Sequence, residues 1–492
     1  MTRIATILAL ATVAQADEYP QPLPLTEEAV REDIALARDA LETIHPVYGR
    51  RDLYNLDAAW EKLEARAGGM DDVELYVRLS SLTEQLRCDH TKLELPERLQ
   101  SARRVTASFF PFRADVFGDS DIVLSATAGS GFRAGDRIIS IDGRSMTEIA
   151  EEIYALLPVD GGTDYVKPGE FVEIGDFGVS GFEHFYPLLY GNWSLAEVVI
   201  ERDGERMSVA ATPITMDEWL TIPWDGPVSG ADFTDSVSFE VLEDGIGYLR
   251  VDTFVNYRRP VDPRDIYAPI FERIQEEGIE SLIIDTRRNG GGSDDAMIAL
   301  MAYLLSDPFT LMRGKHVRTI DLSRFGEHID TWDPAALTPD PANFVQGDNG
   351  WYRLREELDP LTLQPAGPLE PNFDGPVYAL TSRSNASAVT MMLAVLRERG
   401  NDVTLVGERT GGSSTGPNAG MIFFLELPNS GITLRIPWQR QWLNVEHPEI
   451  GFGVTPAVEV VRTAEDALAG RDVALETALD LARGNQINDS SK

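Results

Sequence analysis

One stretch of this sequence decides the fold: residues 375–412 read GPVYALTSRSNASAVTMMLAVLRERGNDVTLVGERTGG. Val377 to Thr381 form a short apolar run rich in β-forming side chains, whereas 382–386 are polar and typical of a turn. From Ser387 onward, apolar residues recur at spacings of three and four, which predicts a helix. Residues 403–406 predict a second strand. The stretch therefore has the order strand, loop, helix, strand.

Ser387 is placed where the loop enters the helix. The free N–H groups and the positive end of the helix dipole stabilise negative charge at such a point. A serine there has two interpretations. It is either the N-cap, whose side chain accepts a backbone N–H, or a nucleophile. In the second case, the helix start stabilises the oxyanion that develops on the attacked carbonyl group. The rest of the chain has to decide between them.

A second strand–loop–helix unit lies upstream. Residues 281–284 predict a buried strand, DTRRNGGG follows at 285–292, and a helix is predicted over 295–305. Strands that alternate with helices predict an α/β core with a largely parallel sheet. The three glycines bring bare backbone N–H groups close to a ligand atom. No phosphate-binding glycine pattern is present in the sequence, so it does not indicate nucleotide binding.

Composition limits the class of protein. The chain has 492 residues, 43% of them hydrophobic, which predicts a soluble globular protein of two to three domains. The formal net charge is −37, from 80 acidic and 43 basic residues. Because like charges repel, this balance argues against nucleic acid and anionic membranes as partners.

The first 16 residues predict a signal peptide. Arg3 precedes a short apolar run, residues 4–13, and Ala14-Gln15-Ala16 forms a small-residue cleavage site. The alternative is a buried N-terminal helix. The apolar run is too short to span a bilayer, and no later run is long enough, so no membrane span is expected. Export to the periplasm or the extracellular space fits the single cysteine, Cys88, which has no intrachain disulfide partner.

Residues 17–104 predict a small helical bundle. Apolar residues repeat at helical spacing in three segments, the first of them preceded by Thr26 as a candidate N-cap. Arg87-Cys88-Asp89-His90-Thr91 follows the third helix directly. His90 is therefore predicted at a helix end, beside acidic and hydroxyl neighbours. Taken alone, such a histidine is more often structural than catalytic.

Residues 105–215 are rich in β-forming residues and glycine turns. Within them, GFRAGDRIISIDG at 131–143 resembles the signature of a PDZ domain, a module that captures an extended peptide at a sheet edge. The nearest candidate for its carboxylate-binding loop is Phe109-Phe110-Pro111-Phe112. The alternative is a β domain that binds nothing.

Four motifs in order are similar to those of the tail-specific (C-terminal-processing) serine proteases, a family that includes the tricorn core. They are LIIDTRRNGGG, VYALTSRSNASA, LVGERTGG and GFGVTP. The resemblance implies a crotonase-like (ClpP/crotonase) α/β core at 216–492, with an N-terminal helical bundle and an inserted PDZ-like β domain. It implies Ser387 as the nucleophile, and an oxyanion hole from the N–H groups of Ala388 and Gly291. Both proposals agree with the chemistry of acyl transfer, which needs preorganised donors.

The sequence departs from the classical branch of that family. Gly411-Gly412-Ser413-Ser414 stands where that branch has its lysine base. The tricorn-like branch uses a histidine and a glutamate instead, and His90 and Glu449 match their places, with Glu446 as the alternate. Asp89 replaces a serine of that branch and is a candidate to orient His90. A serine nucleophile needs such a base, and the base needs an acceptor that fixes its tautomer.

The resulting prediction is an exported serine peptidase that acts on peptides or proteins and needs no cofactor and no metal. Two other functions are compatible with the sequence. One is a peptide-binding protein that has lost catalysis, and the other is a hydrolase of non-peptide esters or amides on the same core.

Overall fold

The structure is a computed structural model that describes residues 20–47, 56–175, 177–226, 230–400 and 402–484. The predicted signal peptide, 1–16, lies outside these residues. Helices alternate with strands, and the strands form three sheets in the described part of the chain. The prediction of a mixed α/β fold is confirmed.

Helices dominate the first part of the described chain. Thr26 caps the first helix, since its hydroxyl accepts the N–H of Ala29 at 3.2 Å. A fourth helix, which the sequence did not predict, follows the His90 segment. The strand before it pairs antiparallel with residues 433–434, so this segment is tied to the C-terminal part of the chain. The elements are α1 Glu27–Ile44, α2 Asp57–Glu64, α3 Asp72–Glu84, β1 Leu93–Glu94 and α4 Glu97–Val105.

An antiparallel sheet follows, and its strands lie in the order β2 (Phe112–Phe117), β3 (Ser120–Ala126), β4 (Arg137–Ile141), β6 (Ala196–Arg202) and β7 (Glu205–Ala211). The turn–strand–turn at 131–143 contains β4, and Asp142 and Gly143 both have positive φ in the turn that ends it. The elements are β2 Phe112–Phe117, β3 Ser120–Ala126, β4 Arg137–Ile141, β5 Arg144–Ser145, α5 Met146–Tyr154, α6 Lys167–Val172, α7 Gly181–Tyr190, β6 Ala196–Arg202, β7 Glu205–Ala211 and α8 Met216–Thr221.

The segment Phe109–Phe112 is hydrophobic core. Phe110 is fully buried and stacks on Trp193 with a centroid distance of 4.3 Å. The N–H of Phe109 donates to the carbonyl of Ile214 at 3.1 Å, and the N–H of Phe110 donates to the Glu183 carboxylate at 3.2 Å. Both donors are used within the fold, so the suggestion that this segment binds a peptide carboxylate is wrong.

The remaining elements build the other two sheets. They are β8 Val237–Val241, β9 Gly247–Val251, α9 Pro263–Glu276, β10 Leu282–Asp285, α10 Asp294–Leu304, β11 Met312–Val317, β12 Ile329–Asp330, β13 Phe344–Gln346, β14 Tyr352–Leu354, α11 Pro360–Leu363, β15 Val377–Thr381, α12 Ser387–Arg399, β16 Val403–Gly407, β17 Asn418–Glu426, β18 Thr433–Leu443, β19 Val458–Glu459, α13 Ala464–Leu468 and α14 Val473–Ala482.

The central sheet has the order β19-β16-β15-β10-β9-β8. Every neighbouring pair is parallel except β8 and β9. Helices α9, α10 and α12 pack their apolar residues against one another in a buried cluster with this sheet. The largely parallel sheet predicted from the alternation of strands and helices is therefore present.

Two parts of the last region differ from the sequence prediction. Residues 306–372, which read as irregular, contain β11 to β14, and these strands join the β17–β18 hairpin in the third sheet. The single helix predicted at the C-terminus is divided into α13 and α14, because Gly470 takes a φ of +68° between them. None of the helices in the described ranges is long and apolar enough to cross a membrane.

Candidate active site

The central sheet places the two predicted loops side by side. Strands β10 and β15 are parallel, with Asp285 opposite Leu380 at their carboxyl ends. The loops that leave these ends, 286–292 and 382–386, are therefore neighbours at one edge of the sheet. Ser387 follows the second loop as the first residue of α12. The topology thus brings the glycine loop to Ser387.

Ser387 is not the N-cap of its helix. Ala386 holds that position, and no side chain caps the helix. Ser387 has a φ of +49°, in the left-handed region that residues with a Cβ rarely adopt. Its half-buried side chain makes no hydrogen bond to any described residue. The N-cap interpretation is therefore wrong, and the hydroxyl is left for other chemistry.

Asn385, which the sequence did not single out, fixes the loop before Ser387. Its side chain is fully buried, accepts the N–H of Ser382 at 2.8 Å and donates to the carbonyl of Asn289 at 3.0 Å. Its carbonyl accepts the N–H groups of Gly411 and Gly412 at 2.8 and 2.9 Å. One buried amide thus joins three loops around Ser387.

Two glycines pack directly on the Ser387 backbone. A Cβ atom at Gly291 would lie 2.8 Å from the Cβ of Ser387, and one at Gly412 would lie 2.8 Å from the Ser387 nitrogen. Real Cβ atoms essentially never approach this closely. The glycine loop therefore does what its sequence indicated and brings bare backbone against the candidate nucleophile.

The two predicted oxyanion donors differ in their present partners. The N–H of Ala388, in the first turn of α12, has no acceptor among the described residues. The N–H of Gly291 donates to Oδ1 of Asn289 at 2.8 Å. Ala388 therefore offers a free donor at a helix N-terminus, whereas Gly291 offers one that is already engaged.

His90 lies in the turn between α3 and β1 and is half-buried. Its Nδ1 is buried and has no hydrogen-bond partner in the described part of the chain. The turn that carries His90 is tied to the buried carboxylate of Asp160, which accepts the N–H of the adjacent Asp89 at 3.0 Å. His90 is therefore placed beside a carboxylate, although this is not the carboxylate that the sequence suggested.

Asp160 connects the His90 turn to the Ser387 loop. Its carboxylate, on a residue only 4% exposed, accepts the N–H of Asp89 at 3.0 Å through Oδ1 and the N–H of Ser413 at 3.2 Å through Oδ2. Ser413 follows Gly412, which packs on Ser387. Burial raises the pKa of Asp160, while the neighbouring His90 acts in the opposite direction. Sequence reasoning missed Asp160, and its signal was an acidic residue directly before two glycines.

The other histidines have different surroundings. His45 is fully buried and shares a hydrogen bond of 2.7 Å with Thr91, and burial lowers its pKa to about 3. His184 is also buried, and burial lowers its pKa well below the ordinary value. The remaining three, His316, His328 and His447, lie in other parts of the fold and are partly or fully exposed. His90 lies in a turn that is joined through the Asp160 carboxylate to the Ser413 loop.

Glu449 is engaged with arginines and not with His90. Its carboxylate binds Arg397 through Oε1 and Arg409 through Oε2, the latter at 2.6 Å, and both oxygens also accept from Thr455. Burial by itself raises the pKa of Glu449, but the Thr455 hydrogen bonds and Arg397 outweigh it and lower the pKa to about 2. Arg397 lies about 15 Å along α12 from Ser387. The alternate, Glu446, is exposed.

Asp89 is paired as well. Its carboxylate forms an ion pair of 2.8 Å with Lys92. The buried lysines Lys167 and Lys315 form ion pairs with Glu84 and Asp359 at 2.7 and 2.6 Å. Both ammonium groups are therefore engaged with carboxylates in the structure.

A charged cleft of about 710 Å³ lies next to the site without including Ser387. It is lined by Arg383 and Ser384, which precede Ser387, and by residues of the antiparallel sheet. Arg383 forms ion pairs with Asp115 at 2.7 Å and Glu173 at 3.4 Å. The antiparallel sheet and α6 therefore contact the loop that carries the candidate nucleophile.

The described residues contain no group of three or more histidine, cysteine or acidic side chains that could hold a metal ion. Cys88 is fully buried, and burial together with the Asp160 charge raises the pKa of its thiol to about 12.

The central and C-terminal part of the chain matches a known protein family. The model of peptidase family S41 matches residues 245–460. The structure of mature CPAF complexed with lactacystin is similar, with a TM-score of 0.64 and 15% identity over 93% of this chain and 98% of that one. A second structure of mature CPAF gives a TM-score of 0.61 and 16% identity over 93% and 97% of the two chains. At such low identity, these two likenesses show a common fold.

Proposed function

Residues 245–460 belong to peptidase family S41, which makes the chain a serine peptidase, and we propose that it cleaves peptide bonds through an acyl-enzyme on Ser387 with His90 as general base. The assignment confirms the resemblance to tail-specific proteases. The observation that carries the proposal is the unpaired hydroxyl of Ser387 at a helix start, packed against Gly291.

Acylation uses the groups around Ser387. As Oγ attacks the carbonyl carbon of the substrate, the imidazole of His90 takes the hydroxyl proton. The carbonyl oxygen becomes an oxyanion, which the free N–H of Ala388 and the α12 dipole stabilise. When the C–N bond breaks, the imidazolium gives its proton to the leaving amine. The products of this half-reaction are the amine and an ester on Ser387.

Deacylation repeats the same proton transfers with water. His90 removes a proton from water as the water oxygen attacks the ester carbon, and then returns a proton to Ser387 Oγ as the C–O bond breaks. The second product is a carboxylic acid. Gly291 remains the predicted second oxyanion donor. Because its N–H donates to Oδ1 of Asn289, the oxyanion has to share this N–H with Asn289 or displace Asn289 from it.

A serine-directed fluorophosphonate probe tests the nucleophile. We expect the purified protein to be labelled on Ser387, identified by mass spectrometry of the labelled peptide. Ser387→Ala should abolish labelling and His90→Ala should slow it. Labelling on a different serine would refute the assignment, and absence of labelling with retained peptide affinity would favour a peptide-binding protein. Cleavage of small esters without peptides would favour a non-peptide hydrolase.

Tail specificity is a further part of this proposal. The antiparallel sheet, with its PDZ-like turn at 131–143, recruits the exposed end of a substrate, and its contacts with Arg383 bring it next to the Ser387 loop. Deleting the predicted β domain, 105–215, would remove Asp115 and Glu173 together with any tail site. Competition by tail peptides is therefore the sharper test. A tail peptide should inhibit cleavage of a tailed protein more than that of a short peptide, and equal inhibition would contradict recruitment.

Export is proposed from residues 1–16, on their sequence alone. The mature protein should begin at Asp17 and be found outside the cytosol. N-terminal sequencing of the protein from its natural compartment tests this. Retention of 1–16 on exported protein, or confinement to the cytosol, would refute it.

A further inference from the structure

We infer that Asp160 is a positioning residue for His90: its carboxylate holds the His90 turn against the Ser387 loop and keeps negative charge beside the imidazole. The inference rests on the proposed function, because it assigns the group that supports the same base. Asp160 has no contact with the reacting atoms in this assignment and acts through His90.

Residues 160–162 connect the His90 turn to loops of the peptidase region, and we call this segment the strap. Asp160 accepts one N–H from the His90 turn and one from the Ser413 loop. The N–H of Gly161 donates to the carbonyl of Arg87 at 2.9 Å, on the His90 side. The N–H of Gly162 donates to the carbonyl of Gly451 at 2.6 Å, on the other side. Each residue of the strap therefore joins the His90 turn or a loop of the peptidase region.

The strap has little freedom to move. A Cβ atom at Gly161, where φ is +56°, would lie 2.5 Å from the carbonyl oxygen of Gly451. One at Gly162 would lie 2.8 Å from Cε1 of Phe452. Only glycine fits at either position without displacement of these neighbours. The sequence Asp-Gly-Gly thus fixes the carboxylate at one place relative to both loops.

The negative charge of the Asp160 carboxylate is useful for catalysis at this position. Besides His90, the titratable neighbours of Asp160 are Asp89, which is paired with Lys92, and the buried thiol of Cys88. An imidazolium forms on His90 whenever it holds the serine proton, and a carboxylate in a buried site stabilises that charge. Glu449 cannot take this part in the described conformation, because arginines and Thr455 occupy both of its oxygens.

Replacement of Asp160 by asparagine tests the inference. The variant keeps nearly the same shape but loses the charge and one acceptor. We expect Asp160→Asn to lower kcat for a peptide by about 10²-fold or more, with a smaller change in KM. Asp160→Glu, which restores the charge, should recover part of the rate.

Asp33 provides a matched control. It is a buried aspartate whose carboxylate accepts the N–H groups of Asn429 and Ser430 at 3.1 and 2.9 Å, away from the site. Asp33→Asn should lower the free energy of unfolding but leave kcat for the peptide where it is. An Asp160→Asn variant that behaves like Asp33→Asn in both measurements would show that Asp160 is only structural, and would overturn the inference.

A readout without turnover separates this inference from the proposed function. The imidazole NMR signals of His90 can be assigned by their disappearance in His90→Gln, and then compared at one pH between the wild-type protein and Asp160→Asn. They should move in Asp160→Asn and stay in place in Asp33→Asn. If Ser387 is never labelled, the proposed function fails while this comparison still decides whether Asp160 positions His90. If Ser387 is labelled and the signals coincide, the Asp160 inference alone is wrong.

Discussion

A Cβ atom at Gly291 would lie 2.8 Å from the Cβ of Ser387 and 3.1 Å from the nitrogen of Ala388. The φ of Gly291 is +112°, which residues with a side chain rarely adopt. The glycine loop therefore reaches the candidate nucleophile only because position 291 has no side chain. This relationship links the two motifs that the sequence keeps almost a hundred residues apart.

Gly291→Ala should remove most of the peptidase activity. The added methyl group has to push the glycine loop away from Ser387, so the donors around the oxyanion lose their alignment. We expect kcat to fall by about 10²-fold or more, the usual effect of losing one oxyanion donor. Steady-state kinetics on a peptide substrate measures it.

Gly290→Ala in the same loop is the control. Position 290 is exposed, and a Cβ there would meet nothing within 4 Å. The loss of activity should be far smaller than for Gly291→Ala. Equal losses would mean that the loop needs flexibility and not the close approach to Ser387.

The left-handed conformation of Ser387 predicts a difference between its two smallest replacements. At a φ of +49°, alanine carries the steric cost of its Cβ, whereas glycine does not. Both variants lack the hydroxyl and should be inactive. Ser387→Gly should nevertheless be more stable than Ser387→Ala by up to about 1 kcal/mol, as measured by urea unfolding. A more stable alanine variant would contradict strain at this residue.

Local patterns were enough to predict that Ser387 stands at the start of a helix. The polar run before Ser387 and the apolar repeat after it both lie within a few residues, so they predicted a serine at a helix start. The identity of the N-cap could not be predicted from these patterns. Ala386 is the N-cap because the backbone φ changes at a single residue, Ser387. Backbone conformation at one position depends on tertiary contacts, here those of Gly291 and Gly412.

Long-range pairing was the part that the sequence could not predict. Asp160 is 71 residues from Asp89 and 253 from Ser413, and its role depends on the fold that brings these loops together. Likewise, nothing near Glu449 in the sequence indicates that Arg397 and Arg409 surround it. Charged side chains choose partners among all groups that the fold places within reach, so spacing alone does not identify them.

Glu449→Gln should act mainly on stability. The folded-state pKa of Glu449 is lowered from 4.5 to about 2, so its carboxylate stabilises the fold at pH values above its unfolded-state pKa. That contribution is lost as the pH falls from about 4.5 through about 2. The difference in free energy of unfolding between wild type and Glu449→Gln should therefore be largest near neutral pH and shrink in acid. Urea unfolding at several pH values measures it.

Glu446→Gln is the matched control for this position. Glu446 is exposed, and no hydrogen bond to its carboxylate is present in the described ranges. The control should be as stable as the wild type at every pH. If Glu449→Gln instead keeps full stability and loses activity as severely as His90→Ala, Glu449 supports the base after all.

The contact between the antiparallel sheet and the Ser387 loop should be measurable as a coupling energy. Arg383 and Asp115 form a largely buried ion pair of 2.7 Å. A double-mutant cycle with Arg383→Met and Asp115→Asn should give about 1–3 kcal/mol. The exposed pair of Arg31 and Glu27 on α1 should give about 0.5 kcal/mol or less. Equal coupling in both cycles would mean that the sheet does not stabilise the loop.

Ser387 and His90 should behave as one unit in kinetics. Ser387→Ala and His90→Ala should each lower kcat/KM for a peptide by about 10⁴-fold or more, because the hydroxyl attacks only when a base removes its proton. The double variant should be little worse than either single one. Additive losses would show that the two side chains act independently. Near-normal turnover in His90→Ala, with Ser387→Ala inactive, would mean that a different base serves Ser387, and the buried Asp160 carboxylate would then support the fold alone.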